Sequence, residues 1–371
     1  MSLIRAARAV SASAHAAQFS TAACLASAWP SSGGPVPGGA ALSSPRPPVT
    51  QADVQRQRDS GEPIVCITAY DAPTGFAARG AGADICLVGD SLANVALGYA
   101  STRELSLDAM IQHVQAVQRA VSAPELAFYE NVPAAPLVVA DMPFGTCAVS
   151  VEDAVRHVVR IVHETQAAAV KIEGSQEAVP IVERLTHVGI SVMGHIGLQP
   201  QRFGDASAFR VQGTTAASAM RIWETAQALE RAGCFSIVIE CIPAKLASYM
   251  SSRLRIASIG IGAGPETHGQ VLVGSDIVSD LTSPAHLAAA LVPADGAPPP
   301  PVPAALPASW PSGPKFVRSF SAPYSVGAMR LAAYRQFADA VRERTFPDLQ
   351  TESYRIKTAE WNEFLRLAGD H

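Results

Sequence analysis

Short apolar runs recur along the chain, and each is followed by polar residues or glycine. The clear runs have five to seven residues, too few for a typical helix, and isoleucine and valine are common in them. Such runs indicate strands that are buried on both faces, as in parallel sheets. Seven clear runs and a weaker eighth fit this description: IVCIT (64–68), ICLVGD (85–90), LVVAD (137–141), AVKIEG (169–174), ISVMGH (190–195), FSIVIE (235–240), IASIGIG (256–262) and DIV near Ile277.

The segments between these runs carry apolar residues at helical spacing. Two of them repeat at positions i, i+4 and i+7: Met110, Val114 and Val117, and Ala154, Val158 and Ile161. Strands that alternate with helices over about 220 residues predict either a (β/α)8 barrel or a doubly wound open sheet. We favour the (β/α)8 barrel because the strand count reaches eight and polar residues follow nearly every strand.

Charged and polar residues stand where five consecutive runs end, from the second to the sixth. They are Asp90, Asp141, Lys171 with Glu173, His195 and Glu240. Active sites of barrels are built at the carboxyl ends of the strands. A single acid there is as often a cap for the next helix, but five such strand ends in succession favour a catalytic site.

The fourth run predicts a charged barrel interior. Lys171 and Glu173 are two residues apart, so both side chains point to one face of the strand while Ile172 points toward the helices. A buried charge needs a charged partner or a metal. Asp90, Asp141 and Glu173 offer oxygen ligands only, which suit a hard cation such as Mg²⁺. An ion-pair network of Lys171 with the carboxylates, without a metal, is the alternative.

Two stretches differ in composition from the rest of the chain. Residues 1–52 contain no Asp or Glu, and Arg5, Arg8 and Arg46 are their only charged side chains. This composition is typical of an organelle transit peptide followed by a disordered linker at 29–48, although a disordered tail shares it. A Pro-rich stretch at 293–314 predicts a surface insertion. We therefore predict one catalytic domain over residues 53–371.

Charge and cysteine content exclude several classes of protein. Lys and Arg number 28 against 32 Asp and Glu, giving a net charge of −4 that excludes a basic nucleic-acid-binding face as the main function. No apolar run of about 18 residues occurs, so no membrane-spanning helix is predicted. The six cysteines lack CxxC spacing. Their scatter predicts a reduced intracellular chain with neither a disulfide framework nor a zinc site.

Other candidate residues give weaker signals. Cys241 follows Glu240, but no partner histidine for a nucleophilic cysteine is visible in the sequence. His157 and His163 are six apart on a predicted helix, a spacing that does not share one face. The segment Ser258–Gly264 is rich in glycine, which favours a tight turn over a phosphate-binding loop.

Nine motifs in this order closely resemble those of the ketopantoate hydroxymethyltransferase family, also called 3-methyl-2-oxobutanoate hydroxymethyltransferase, between Val54 and Phe346. The motifs are ITAYD (67–71), LVGDSL (87–92), ADMPF (140–144), VKIEG (170–174), GHIGLQPQ (194–201), RVQG (210–213), IECIP (239–243), IGIGAG (259–264) and PKF (314–316). The resemblance implies a (β/α)8 barrel of the phosphoenolpyruvate mutase and isocitrate lyase type.

The same resemblance implies an activity and its cofactors. A one-carbon unit would pass from 5,10-methylenetetrahydrofolate to 3-methyl-2-oxobutanoate, giving 2-dehydropantoate on the pantothenate and coenzyme A route. Mg²⁺ would assist, and the protein would be a homo-oligomer of unspecified size, since bacterial members of the family are typically decamers. Eukaryotic members are typically mitochondrial, which favours the mitochondrion for this chain.

Site residues follow from the motifs. Asp90, Asp141 and Glu173 would hold Mg²⁺, and Glu240 would take the proton from C3 of the substrate as general base. Ser91, Lys171 and His195 would bind the 2-oxoacid together with Asp90 and Asp141. Lys171 would add positive charge beside the oxyanion that develops.

The chain also departs from the family pattern. It reads THGQVLVGSD at 267–276, with His268, Gly274 and Ser275 where family members usually carry other residues, and Ser122–Pro136 is longer than usual. Two other functions stay open, a carbon–carbon lyase or hydrolase acting on another 2-oxoacid and a non-catalytic scaffold. The IECIP and GHIGLQPQ motifs argue against the lyase or hydrolase, and the complete set of expected ligands argues against the scaffold.

Overall fold

Eight parallel strands form a closed barrel in the computed structural model, which describes residues 44–203, 210–290 and 325–370. The strands follow one another around the barrel in chain order, and β8 pairs with β1. This closure confirms the (β/α)8 barrel and excludes the open sheet. The strands are β1 Ile64–Thr68, β2 Ile85–Val88, β3 Leu137–Asp141, β4 Ala169–Glu173, β5 Val192–Gly197, β6 Ser236–Glu240, β7 Ala257–Ile261 and β8 Gly269–Leu272.

Helices surround the barrel. Several of them begin with a serine cap; for example, the Oγ of Ser106 accepts the N–H of Ala109, and the Oγ of Ser150 accepts that of Asp153. In the described residues the α-helices are α1 Gln51–Ser60, α2 Ala72–Gly80, α3 Leu92–Val95, α4 Leu107–Val121, α5 Val151–Thr165, α6 Val179–His187, α7 Pro200–Phe203, α8 Ala216–Arg231, α9 Ala244–Arg253, α10 Gly274–Ile277, α11 Pro284–Ala290, α12 Val326–Arg342 and α13 Thr358–Ala368.

Alternate residues of each strand build two separate cores. Ile64 and Cys66 face the barrel interior, and Val54 of α1 belongs to this inner core. Val65 and Ile67 face outward and pack with helix residues. The predicted helical stripes, including Met110 and Val158, are buried in this outer core, as is Ile172. The inner core therefore fills the barrel below the strand ends that carry the polar residues.

The eighth strand was predicted in the wrong place. Ile277 lies in the short helix α10, and the strand is Gly269–Leu272, which pairs with both β1 and β7. Gly269 packs so closely on β1 that a Cβ atom there would lie 2.3 Å from the carbonyl oxygen of Ile64. A glycine and a glutamine open this strand, so its sequence lacks the apolar run that identified the other seven.

The described fold includes residues that precede the predicted domain boundary at residue 53. Helix α1 starts at Gln51, and Arg46 and Val49 donate backbone N–H groups to the carbonyl oxygens of Ala127 and Ala135. The predicted transit segment up to residue 43, the Pro-rich insertion at 293–314 and the PKF motif lie outside the described residues. No helix in the part of the chain that the structure describes is long and apolar enough to cross a membrane.

The segment Ser122–Pro136, which was predicted to be longer than in family members, lies at the opposite end of the barrel from the polar strand ends, because it leads into the start of β3. It contains a short 3₁₀ helix, Pro124–Phe128. The buried guanidinium of Arg79 donates to the carbonyl oxygens of Val121 and Pro133 and holds the two ends of this segment. This segment is therefore part of the amino-terminal face of the barrel.

Candidate active site

The ends of β2, β3 and β4 bring three charged side chains together inside the mouth of the barrel. Lys171 forms an ion pair and hydrogen bond with Asp141, and the backbone N–H of Asp90 donates to Oδ2 of Asp141 over 3.1 Å. All three side chains are buried. Asp141 and Lys171 are direct neighbours in the β3–β4 register, which explains why their side chains meet.

Glu173, His195 and Glu240 continue this cluster around the mouth on β4, β5 and β6. Nε2 of His195 lies 3.2 Å from Oε2 of Glu240, and Nδ1 lies 3.9 Å from Oε2 of Glu173. The 3.2 Å approach is close enough for an ion pair, but its angles do not satisfy hydrogen-bond geometry. Both ring nitrogens are therefore buried without a hydrogen-bond partner among the described residues. Both can donate to polar atoms of a substrate that binds beside the Glu173 and Glu240 carboxylates.

Ser91 lies at the start of α3, directly after Asp90. It is half-buried, and its hydroxyl makes no hydrogen bond with the described residues. A Cβ atom on Gly89 would lie 3.2 Å from its Oγ, so the glycine leaves room for the hydroxyl. The position of Ser91 is thus next to the carboxylate cluster, as the motif VGDS implied.

Gln201, which ends the GHIGLQPQ motif, was not predicted to take part in the site. Its side-chain amide donates to Oδ2 of Asp90 over 2.9 Å and to the carbonyl oxygen of Met142 over 3.0 Å. Its backbone N–H donates to Oε1 of Glu173 over 3.0 Å. Gln201 therefore joins two of the carboxylates that come from different strands.

The backbone around Glu240 is tightly constrained. A Cβ atom on Gly197, which has φ of +93°, would lie 2.1 Å from the carbonyl oxygen of Glu240. That oxygen accepts the N–H of Leu198 over 2.9 Å. Cys241, the next residue, has φ of +53°, a region that side-chain-bearing residues seldom adopt. These constraints fix where the Glu240 side chain leaves β6.

Burial disfavours the ionised form of the carboxylates and so raises their pKa values. Burial, followed by the negative charge of Asp141, raises the pKa of Asp90 to about 6. Burial raises the pKa of Glu173 to about 7, although the charges of His195 and Lys171 oppose this. The cluster thus holds more negative charge than its single lysine offsets.

For Lys171 and His195, burial lowers the pKa and the neighbouring carboxylates raise it. Burial lowers the pKa of Lys171, but the charges of Asp141 and Asp90 more than reverse this and leave it above its usual value. Burial and the Lys171 charge lower the pKa of His195, yet the neighbouring Glu240 and Glu173 raise it further. The carboxylates around them therefore favour the charged form of both groups.

These residues fit a hard cation. No three His, Cys, Asp or Glu side chains converge into a complete ligand set within the described residues. Mg²⁺ needs only one or two protein carboxylates, because it keeps waters and takes substrate oxygens. The alternative network without metal accounts for the Lys171–Asp141 pair. It leaves Asp90 and Glu173 without a lysine or arginine partner in the described part of the chain.

The weaker candidates lie apart from this cluster. The Cys241 thiol contacts the Tyr354 side chain, and burial raises its pKa, which disfavours the nucleophilic thiolate. His163 is exposed on α5, whereas His157 is half-buried against the carbonyl oxygen of Thr146. Gly262 and Gly264 both have positive φ after β7 and form the expected tight turn.

Fold and site together define a (β/α)8 enzyme whose polar cluster is built from carboxylates, a lysine and a histidine at the carboxyl ends of the strands. A family model described as ketopantoate hydroxymethyltransferase matches residues 48–288. The chain belongs to this family, and it is therefore an enzyme of the hydroxymethyltransferase class.

Similar proteins include two that share most of the chain. This chain is 35% identical over 334 residues to 3-methyl-2-oxobutanoate hydroxymethyltransferase 1, mitochondrial, of Arabidopsis thaliana. The alignment covers 90% of this chain and 84% of the relative. The chain is 39% identical over 300 residues to 3-methyl-2-oxobutanoate hydroxymethyltransferase of Moorella thermoacetica, covering 81% of this chain and 96% of the relative.

Solved structures show more distant likenesses. Phosphonopyruvate hydrolase aligns with a TM-score of 0.46 at 12% identity, over 65% of this chain and 83% of that chain. A 2,3-dimethylmalate lyase, titled a member of the PEP mutase/isocitrate lyase superfamily, aligns with a TM-score of 0.40 at 15% identity, over 60% of this chain and 80% of that chain. The closed barrel observed here defines the fold independently of them.

Proposed function

We propose that the chain transfers a hydroxymethyl group from 5,10-methylenetetrahydrofolate to 3-methyl-2-oxobutanoate, giving 2-dehydropantoate for pantothenate and coenzyme A synthesis. One observation supports this above all others. Buried carboxylates, Lys171 and His195 form a charged pocket at the mouth of a barrel that belongs to this family, with Glu240 beside them. The names of the relatives support the same acceptor substrate.

The 2-oxoacid would bind at the end of β2 to β5. Asp90, Asp141 and Glu173 would hold Mg²⁺, and this ion would polarise the keto group when bound, which acidifies the adjacent C–H. The Lys171 ammonium lies within the same cluster and stabilises negative charge that develops on the keto oxygen. The unpartnered nitrogens of His195 and the hydroxyl of Ser91 supply hydrogen bonds for the remaining polar atoms of the substrate.

Glu240 would act as the general base. Its side chain is 21% exposed, whereas the side chains of Asp141 and Glu173 are nearly inaccessible, so it can face a substrate in the mouth. Its carboxylate would take the proton from C3. The carbon that has lost this proton would bond to the methylene carbon of the folate, whose bonds to N5 and N10 break. Water would supply the hydroxyl oxygen of the product, and tetrahydrofolate would leave with the C3 proton and one water proton on its two nitrogens.

A product assay tests this function. Purified protein should form 2-dehydropantoate only when both substrates and Mg²⁺ are present. Asp141→Ala should lower turnover by about 10²-fold or more, because it removes a ligand and the partner of Lys171. Asp108→Ala is the matched control, since Asp108 is 74% exposed on α4. Absence of product, or full turnover in excess chelator, would contradict the proposal.

We also propose a homo-oligomer imported into the mitochondrion. The Arabidopsis thaliana and Oryza sativa relatives are named mitochondrial, whereas the names of the bacterial relatives carry no location. The acid-free, arginine-bearing start of the chain supports import. The family resemblance supports assembly, as does an exposed apolar groove between α5 and α6, which is lined by Val159 and Val188.

A further inference from the structure

Tyr354 belongs to the connection between α12 and α13, and it reaches the carboxyl ends of β6 and β7. Its carbonyl oxygen accepts the N–H of Ala244, the first residue of α9, over 2.9 Å. A Cβ atom on Gly262, just beyond β7, would lie 3.4 Å from Cε2 of its ring. Its hydroxyl contacts the thiol of Cys241, which directly follows Glu240. One side chain from the carboxyl-terminal part of the chain therefore joins the ends of two strands beside the proposed base.

The connection that carries Tyr354 is itself held in shape. The carboxylate of Asp348 accepts the backbone N–H of Thr351 over 2.8 Å, and the carbonyl oxygen of Asp348 accepts the hydroxyl of Ser353 over 3.0 Å. On α13, Oε2 of Glu360 accepts the N–H that begins α8 over 2.7 Å. These bonds fix the chain on both sides of Tyr354, so its ring is not placed by the strand ends alone.

The residue that follows Glu240 has a conformation that needs support. Cys241 has φ of +53°, which residues with a side chain seldom adopt. Its backbone N–H donates to the carbonyl oxygen of Ile261 over 2.8 Å, and its own carbonyl oxygen accepts the N–H of Gln212 over 2.9 Å. These two bonds hold the main chain, and the contact with the Tyr354 hydroxyl extends the support to the side chain.

The direction of the Glu240 side chain depends on this support. A change in the backbone of Cys241 would turn the end of β6 and move the carboxylate that precedes it. The neighbouring ring of His195 does not hold that carboxylate by a hydrogen bond, since its Nε2 lies 3.2 Å away without hydrogen-bond geometry. A general base must lie within hydrogen-bond reach of the proton that it takes. A displacement of about 1 Å is enough to slow such a step strongly.

We propose that Tyr354 is a positioning residue for the base, because its hydroxyl holds Cys241 and thereby keeps the Glu240 carboxylate within reach of the C3 proton. The inference rests on the proposed function, in which Glu240 is that base. Tyr354 lies beyond residues 48–288, which the family model matches, and outside every motif that predicted a site residue. The residues that would bind the 2-oxoacid stand at the ends of β2 to β5, so loss of this contact should slow proton transfer and spare substrate binding.

Exchange of the C3 hydrogen of 3-methyl-2-oxobutanoate in D₂O, with Mg²⁺ and without folate, tests this role when its rate is followed against substrate concentration. Tyr354→Phe keeps the ring and loses the hydroxyl, so it should lower the maximal rate at least about three-fold with KM within about two-fold of the wild type. Cys241→Ala removes the other side of the contact and should act alike. The double variant should be no slower than the slower single variant. Leu349→Ala is the matched control, because Leu349 is 50% exposed in the same connection.

The same substitution in the Glu240→Gln variant separates positioning from general damage to the site. Without the base, Tyr354→Phe should change the residual exchange by less than about two-fold. A wild-type maximal rate in Tyr354→Phe, additive losses in the double variant, or an equal loss in the Glu240→Gln background would overturn the positioning role and leave the proposed function standing. No exchange by the wild type, or wild-type exchange by Glu240→Gln, would overturn the proposed function and this inference with it.

Discussion

Among single residues, His268 has surroundings in the folded chain that favour its neutral form. Its Nδ1 accepts a hydrogen bond from the backbone N–H of Ser258 over 3.1 Å, and the Ser258 hydroxyl, which donates to Oγ of Ser251, lies 2.8 Å from the same nitrogen. Burial, followed by the charges of Arg58 and Arg344, lowers its pKa to about 4. Protonation would place a hydrogen where β7 donates one, so the folded chain keeps this imidazole neutral.

We predict that His268 makes stability depend on pH. An unfolded histidine takes up a proton near pH 6.5, but folded His268 does so only near pH 4. Stability should therefore fall as the pH drops from about 6.5 toward 4, by roughly 1–2 kcal/mol at pH 5. Urea unfolding at pH 7.5 and pH 5 measures this loss, and His268→Asn, which keeps an acceptor without titrating, should reduce it.

The matched control is His163→Asn, because His163 is exposed on α5. It should leave the pH dependence as in the wild type. Comparison between variants matters because Asp90 and Glu173 also have raised pKa values and change charge in the same interval. An identical loss of stability in wild type and His268→Asn would contradict this prediction.

Most of the site residues could be predicted because parallel strands share a carboxyl edge. Lys171 and Glu173 follow from the two-residue repeat of a strand, which fixes the face that they share. Gln201 could not be predicted this way. It lies in the four-residue helix α7, and its contacts to Asp90 and Glu173 depend on how the chain returns after β5.

At the scale of elements, the approach of β5 to β6 depends on one glycine. Gly197 pairs with Glu240, and its Cα hydrogens face the carbonyl oxygen of that residue. Seven strands were predicted from apolar runs, whereas β8 was not, because close packing onto β1 selects Gly269 at its start. Close backbone contact therefore explains why β8 lacks an apolar run, and it also fixes the position of β5 against β6.

We predict that Gly197→Ala destabilises the protein and lowers turnover. The added methyl group would have to displace the Glu240 carbonyl, on top of the strain of a positive φ. Gly189→Ala is the matched control, because Gly189 has φ of +86° with nothing within 4 Å of a Cβ atom. In urea, Gly197→Ala should cost at least about 1 kcal/mol more than Gly189→Ala. The same loss of unfolding free energy in both variants, together with equal turnover, would contradict this prediction.

At the scale of the whole molecule, apolar surface remains exposed on the outer helices. Val159 is 47% exposed on α5, and Val188 after α6 is 46% exposed beside it. Contiguous apolar surface of this kind is usually covered by another protein. It supports the proposed assembly of identical chains, because it lies on the side of the barrel away from the mouth.

We predict that the protein in solution is an oligomer. Light scattering at several concentrations should give a mass that is a multiple of 38.7 kDa. Val159→Lys, which charges the exposed groove, should lower that mass if this face joins the copies. A single species near 39 kDa at all concentrations would contradict the proposed oligomer.

We predict that the start of the chain directs import. A fusion of residues Met1–Pro48 to a fluorescent protein should accumulate in mitochondria, because Arg5 and Arg8 give a positive segment without acids. The same fusion with both arginines replaced by alanine is the control and should stay in the cytosol. Diffuse cytosolic signal from the unchanged fusion would end this proposal without affecting the catalytic one.

The proposed function requires Glu240 to remove the C3 proton of 3-methyl-2-oxobutanoate at a Mg²⁺-assisted site. The most direct measurement is the rate of deuterium exchange at C3, followed by NMR in D₂O with Mg²⁺ and without folate. We expect rapid exchange in the wild type and in Glu164→Gln, whose side chain is 38% exposed on α5. Glu240→Gln should slow exchange by about 10²–10⁴-fold. An unchanged rate in Glu240→Gln would show that another group is the base.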